Sequence, residues 1–89
     1  MINTTHGEMR VISLGKVKGE LDSNNFKEKL LEAAEKLDIE DIVLVETLGR
    51  VDYAVIYKAK SIEDVSNFAI EIRKVSGVVD SETLIGLVK

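Results

Sequence analysis

Three observations predict an α+β sandwich, a four-stranded antiparallel sheet with two helices on one face. Four stretches are rich in β-branched and apolar residues: MRVISLGKV, IVLVETL, YAVIYKA and VVDSETLIGLV. Two others repeat apolar residues at helical spacing behind a capping residue. Their order along the chain is β-α-β-β-α-β, two split β-α-β units, which is the ferredoxin-like arrangement. A faint echo, VETLG in one half and SETLIG in the other, fits a duplicated unit.

Residues 1–8 read as a polar, frayed start, and 9–89 as a single domain. Met9 to Val17 is the first strand. Gly19, Asp22, Ser23 and two asparagines make Lys18 to Asn25 a loop. Asn25 and Glu28 have the spacing of a capping box, so the first helix is expected to begin near Phe26. Its apolar stripe is Phe26, Leu30, Ala33, Ala34 and Leu37. Ile42 to Leu48 is the second strand and Tyr53 to Ala59 the third. Ser61 caps the second helix with Asp64 behind it, and Ile62, Val65, Phe68, Ala69, Ile72 and Val75 form its inner face. Arg73 and Lys74 suit the negative end of the helix dipole. Gly77 is placed to end the helix in a left-handed conformation. Val78 to Val88 is the last strand.

Composition narrows the function classes. The 89 residues contain no cysteine, so disulfides and thiol nucleophiles are excluded, and the chain suits an intracellular, cytoplasmic setting. No apolar run approaches the roughly 20 residues that span a bilayer, and MINTTHGEMR lacks a signal-peptide core. The net charge is −4, and neither half is basic: residues 1–45 carry 6 positive and 9 negative side chains, residues 46–89 carry 6 and 7. Without a clustered positive face, direct binding of nucleic acid is not expected. The lone histidine, His6, lies in the polar start, so neither a zinc site nor a serine nucleophile with a histidine base is expected. There is no phosphate-binding glycine loop. No catalytic set, metal site or cofactor is predicted. Glu40 and Asp41 read as solvated charge at a helix-to-strand corner.

The strands are apolar on both faces. Ile42 and Leu44 oppose Val43 and Val45; Tyr53, Val55 and Tyr57 oppose Ala54 and Ile56; Thr83, Ile85 and Leu87 oppose Leu84 and Val88. Two helices cover one face only. The other would expose more than the roughly 300–600 Å2 of contiguous apolar surface that a monomer carries. Packing against the same face of a second copy, at about 800 Å2 per partner, predicts a homodimer through the sheet faces. Ala54, Lys58 and Gly86 interrupt that face and favour the opposing monomer reading.

Gly49-Arg50-Val51-Asp52 joins the two middle strands and has two readings. Glycine supplies a positive φ and aspartate accepts backbone N–H bonds, which is turn chemistry; the same loop could instead face a ligand. Tyr53 and Tyr57 share one strand face. They either pack in the dimer interface with their hydroxyls at its rim, or one of them lines a ligand pocket.

The segments LGRVDYAVIYKAKS, IEDVSNFAIEIRKVSGV and VDSETLIGLV carry a family resemblance. From Val45 to Val88 the chain resembles the effector-binding RAM domain (regulation of amino acid metabolism) of the Lrp/AsnC transcription regulators. Gly49, Asp52 and Tyr53 match that family's Gly-x-x-Asp-Tyr-like turn, Gly77 and Val78 its Gly-Val, and Ser81 and Thr83 its paired hydroxyls. The helix ends in Val-Ser-Gly-Val where the family has Pro-Gly-Val. The resemblance implies a dimeric α/β barrel, assembly into rings of dimers, and a small effector, typically an amino acid, near the turn. Asp52 would then meet its ammonium group and nearby backbone N–H groups its carboxylate. Gly49, Arg50, Asp52, Tyr53, Ser81 and Thr83 are the ligand-site residues so implied.

Full-length members carry a DNA-binding helix-turn-helix before this domain. With about eight residues before its first strand, the chain resembles the stand-alone form, a non-enzymatic sensor that pairs with itself or with a full-length regulator. The turn also resembles the related GYD-type domain. The wider superfamily includes small monooxygenases and isomerases, which makes a small enzyme with a pocket between helices and sheet the alternative.

Overall fold

The computed structural model describes residues 9–75 and 77–87. The elements run β1 (Met9–Val17), α1 (Ser23–Glu35), β2 (Ile39–Glu46), β3 (Tyr53–Ala59), α2 (Ile62–Lys74) and β4 (Val78–Leu87). The sheet order is β2-β3-β1-β4, and every neighbouring pair is antiparallel. The βαββαβ, ferredoxin-like sandwich is therefore the fold. The polar start over 1–8 with His6, and Val88, lie outside the described residues.

Alternation along the strands decides which side chains meet the helices. Val11, Ser13, Tyr53, Val55 and Tyr57 turn inward and are fully buried, and Met9, Ile39 and Ala59 extend that layer. Phe26, Leu30 and Ala33 descend from α1, and Val65, Phe68 and Ile72 from α2. The rings interlock edge to face: Phe26 with Tyr53 at 4.9 Å between centroids, and Phe68 with Tyr57 at 4.7 Å. Tyr53 and Tyr57 thus pack under the helices, and the expectation that they line the dimer face is corrected. The two-residue period that puts them on one face puts Val55 there too, and that face is the inner one.

α2 begins as expected: the Ser61 hydroxyl accepts from the Asp64 N–H at 3.1 Å. α1 does not. Its cap is Asp22, whose carboxylate accepts from the Asn25 N–H at 3.1 Å, so the helix begins at Ser23 and not at Phe26. Asp22, Ser23, Asn24 and Asn25 are all good caps, and Glu28 drew the boundary three residues too late. β2 is likewise displaced, opening at Ile39. Its register with β3 shifts between Glu40 and Val43, and Asp41 there takes a φ of 53°. That irregularity lets Ile39 and Ile42 both turn toward α1. Gly77 has the expected positive φ, 96°, but the helix already ends at an extended Val75. The echoed letters are not equivalent in space, because Glu46 closes β2 whereas Glu82 lies in the middle of β4.

The outer face of the sheet is apolar at its centre. Register places Ile12 beside Ile56 and Leu84, Leu14 beside Ala54, Val43 beside Ile56 and Val45 beside Ala54. Val43 is 51% exposed and Leu84 48%. Arg10, Lys58 and Glu40 stand at one end of this stripe, Lys16 and Glu82 toward the other.

Candidate functional site

Every implied ligand residue except Thr83 lies at the end of the sheet where β1 stops and β3 and β4 start. β1 is the hub there. Its pairing with β4 slips between Lys16 and Val17, and this frees the β1 backbone to bond elsewhere. The Lys18 N–H donates to the Gly77 carbonyl at 2.7 Å, which ties the β1–α1 loop to the α2–β4 turn. The Asp52 N–H donates to the Gly15 carbonyl at 2.7 Å, and the Val17 N–H donates to Asp52 Oδ2 at 2.9 Å. Asp52 therefore pins the β2–β3 loop to β1 from both its backbone and its side chain. One of its carboxylate oxygens is committed to a backbone donor, and only the other is left for a ligand.

The loop is closed on itself as well. The Thr47 N–H donates to the Asp52 carbonyl at 3.1 Å, and the Thr47 hydroxyl to the Val51 carbonyl at 2.7 Å. Between these ties Gly49 takes a φ of 118°, where a side chain would be strained. Leu48, Gly49 and Arg50 project into solvent. At the loop's base the Ser23 hydroxyl contacts the Glu46 carboxylate, which fastens the start of α1 to the end of β2.

Tyr53 lies across Gly15, and a Cβ at Gly15 would collide with its hydroxyl and with the Asp80 carbonyl. Register sets Ser81 beside Gly15 on the next strand. The Tyr53 hydroxyl is buried without a hydrogen bond of normal geometry among the described residues. Burial raises its pKa; the nearby Ser81 hydroxyl opposes this, and the charge of Asp80 adds to it. Thr83 belongs to a second group deeper in the sandwich, where its hydroxyl lies 3.1 Å from that of the fully buried Ser13. The Tyr57 hydroxyl lies near Ser13, and burial pushes its pKa up to about 12 against a smaller opposing effect of that serine.

The implied residues thus separate into three sets. Asp52, Tyr53 and Ser81 gather around Gly15; Thr83 joins Ser13 and Tyr57; Gly49 and Arg50 stand at the loop tip. Sequence reasoning missed Gly15, Ser13 and Ser23. Gly15 had a signal, because glycine inside a strand marks a close approach. Glu40 and Asp41, read from the sequence as solvated charge, are exposed and reach Lys60 at 3.6 Å and Lys58 at 3.2 Å in surface ion pairs. Among the described residues no helix is long and apolar enough to cross a membrane.

No protein-family model matches the chain, and no curated protein matches it. Solved structures do. An AsnC family transcriptional regulator from Agrobacterium tumefaciens superposes with a TM-score of 0.64 at 12% identity, covering 94% of this chain and 53% of that one. AsnC from E. coli gives 0.63 at 18% identity, covering 100% and 60%. A dimeric ferredoxin-like protein of unknown function from Thermobifida fusca gives 0.56 at 13%, covering 99% and 97%. At these identities the likeness is one of fold. The chain spans between half and two thirds of the length of the regulators it matches.

Proposed function

We propose that this chain is a non-enzymatic effector-binding and oligomerisation module of the kind found in Lrp/AsnC-type regulators. In this reading it dimerises through its sheet faces and takes a small amino-acid effector at the β2–β3 loop. Its further partner is a full-length regulator of that type. The observation that carries the proposal is the outer sheet face, on which Ile12, Val43, Val45 and Leu84 are all exposed. A surface of this kind needs a second copy, and the dimeric state of a protein of similar fold supports that reading. Asp52, with one carboxylate oxygen still available, suits an ammonium group, and nearby backbone N–H groups suit the carboxylate of the same zwitterion.

Asp52→Asn tests the site better than Asp52→Ala, because asparagine can still accept from the Val17 N–H while losing the charge. An amino acid at 100 times its Kd stabilises a folded protein by about 2.7 kcal/mol. Thermal unfolding of the wild type against the twenty amino acids is expected to show a shift for at least one. Asp52→Asn is expected to lose that shift. A wild-type melting curve that no amino acid moves would remove the effector reading, and an unchanged response in Asp52→Asn would remove the site.

A second reading, a small enzyme, is favoured by one observation. The Tyr53 and Tyr57 hydroxyls lie buried under the helices beside Ser81, Ser13 and Thr83 without bonds of normal geometry among the described residues. Solvent-accessible chemistry there would require the sandwich to open. Tyrosine ionisation that proceeds freely near pH 10 in the native protein would support it.

A further inference from the structure

The helix layer, on the opposite side of the sheet from the apolar stripe, carries an open surface of its own. Between α1 and α2 lie two overlapping hollows of about 340 and 380 Å3. They share Ala33, Lys36, Glu71 and Lys74, so they form one groove along both helices. Its floor is apolar: Ala33 is buried, Leu37 is half-buried, and Ile70 stays 43% exposed. The other exposed residues around Ile70 on α2, Ser66, Asn67, Arg73 and Lys74, are all polar.

The walls of the groove are charged. Lys29 and Lys36 stand on one side of α1, two turns and roughly 10 Å apart along the axis. Both are exposed, and neither makes an ion pair among the described residues. Lys74 stands on the α2 wall, paired with Glu71 at 3.2 Å. Glu32 lies between the two α1 lysines. Three lysines against two glutamates give the groove a positive balance, in a chain whose net charge is −4.

We propose that this groove docks an acidic amphipathic helix of a partner protein. A third helix laid along two others sets its apolar stripe on the floor, over Ala33, Leu37 and Ile70. Glutamates two turns apart beside that stripe then meet Lys29 and Lys36. A nucleic acid or an anionic membrane fits less well, because its phosphates would also meet Glu32 and Glu71. The contact uses none of Ile12, Val43, Val45 or Leu84, so it goes beyond the sheet-face dimer and does not depend on it.

The probe is a fluorescein-labelled helical peptide of about four turns, with leucines at i, i+3, i+4 and i+7 and glutamates beside them. One control keeps the leucines and carries lysines in place of the glutamates; the other is polyglutamate of equal length. Fluorescence anisotropy is expected to show the acidic amphipathic peptide binding on the order of tenfold more tightly than either control, since each exposed charge pair is worth a few-fold. Lys29→Glu/Lys36→Glu is expected to weaken that binding by a similar factor and to invert the preference between the two leucine peptides. Ile70→Asp is expected to weaken it several-fold with an unchanged circular dichroism spectrum. Absence of binding at several hundred micromolar, equal affinity for the three peptides, or an unchanged affinity in Lys29→Glu/Lys36→Glu overturns the proposal. Ile12→Lys/Val43→Lys is expected to bind as the wild type does. Loss of binding in that variant would place the peptide on the sheet face, which also overturns the proposal and leaves the dimer to be judged by its own mass.

Discussion

Gly15 and the tyrosine that crosses it show how single positions set this interior. Tyr53 can lie flat toward Ser81 only because β1 has no side chain beneath it. Gly15→Ala is expected to cost about 3 kcal/mol, at the upper end of overpacking effects, read from the urea midpoint. Tyr57 makes a pH prediction. Below pH 10 the folded and unfolded chains both hold its proton. Above 10.0 the unfolded chain releases it, while the folded one keeps it until about 12, so stability falls as pH rises from 10 through 12. Denaturant titrations from pH 8 to 11.5 are expected to show that fall, and Tyr57→Phe to flatten part of it. An alkaline limb that is identical in Tyr57→Phe would assign the fall to other groups. The sequence displayed both tyrosines and their common face. It did not display which face the helices cover, because the strands are apolar on both.

At the scale of elements, the starts of the helices and the ties between loops carry the local energetics. Asp22→Ala is expected to destabilise by about 1 kcal/mol through loss of the α1 cap, whereas Asn25→Ala should stay within about 0.5 kcal/mol; equal effects at the two would restore Asn25 as the cap. Asp52→Ala strands the Val17 N–H and is expected to cost about 1–2 kcal/mol, most of which Asp52→Asn recovers. Existence and order of all six elements were legible from period and turn residues. Boundaries were not where several residues could serve equally. Four consecutive cap-formers blurred the start of α1, and the irregularity at Asp41 hid three residues of β2. The Asp52 bond to Val17 was not legible at all, since a contact 35 residues away leaves no local pattern. Of the implied ligand residues, the sequence placed Asp52, Tyr53 and Ser81 on parts of the chain that do meet. It could not separate Thr83 from them, because alternation along β4 puts both hydroxyls on one face and says nothing of depth.

Over the whole molecule, the decisive feature is the sheet face that no helix covers. Its apolar centre is legible in the amino-acid sequence, as strands that lack a polar side. Register then adds that Ile12, Val43, Val45 and Leu84 form one contiguous stripe with charge confined to its ends. A lysine at Val43 or Ile12 places a charge in the middle of the proposed dimer contact and leaves the helix-side core untouched. The most direct measurement is the native mass in sedimentation equilibrium at micromolar concentration, for wild type and for Ile12→Lys/Val43→Lys. The expected result is a wild-type species of at least twice the 9.9 kDa chain and a double variant that stays folded and loses the sheet-face dimer. A wild type that sediments as a single 9.9 kDa chain, or a double variant of unchanged mass, would contradict it.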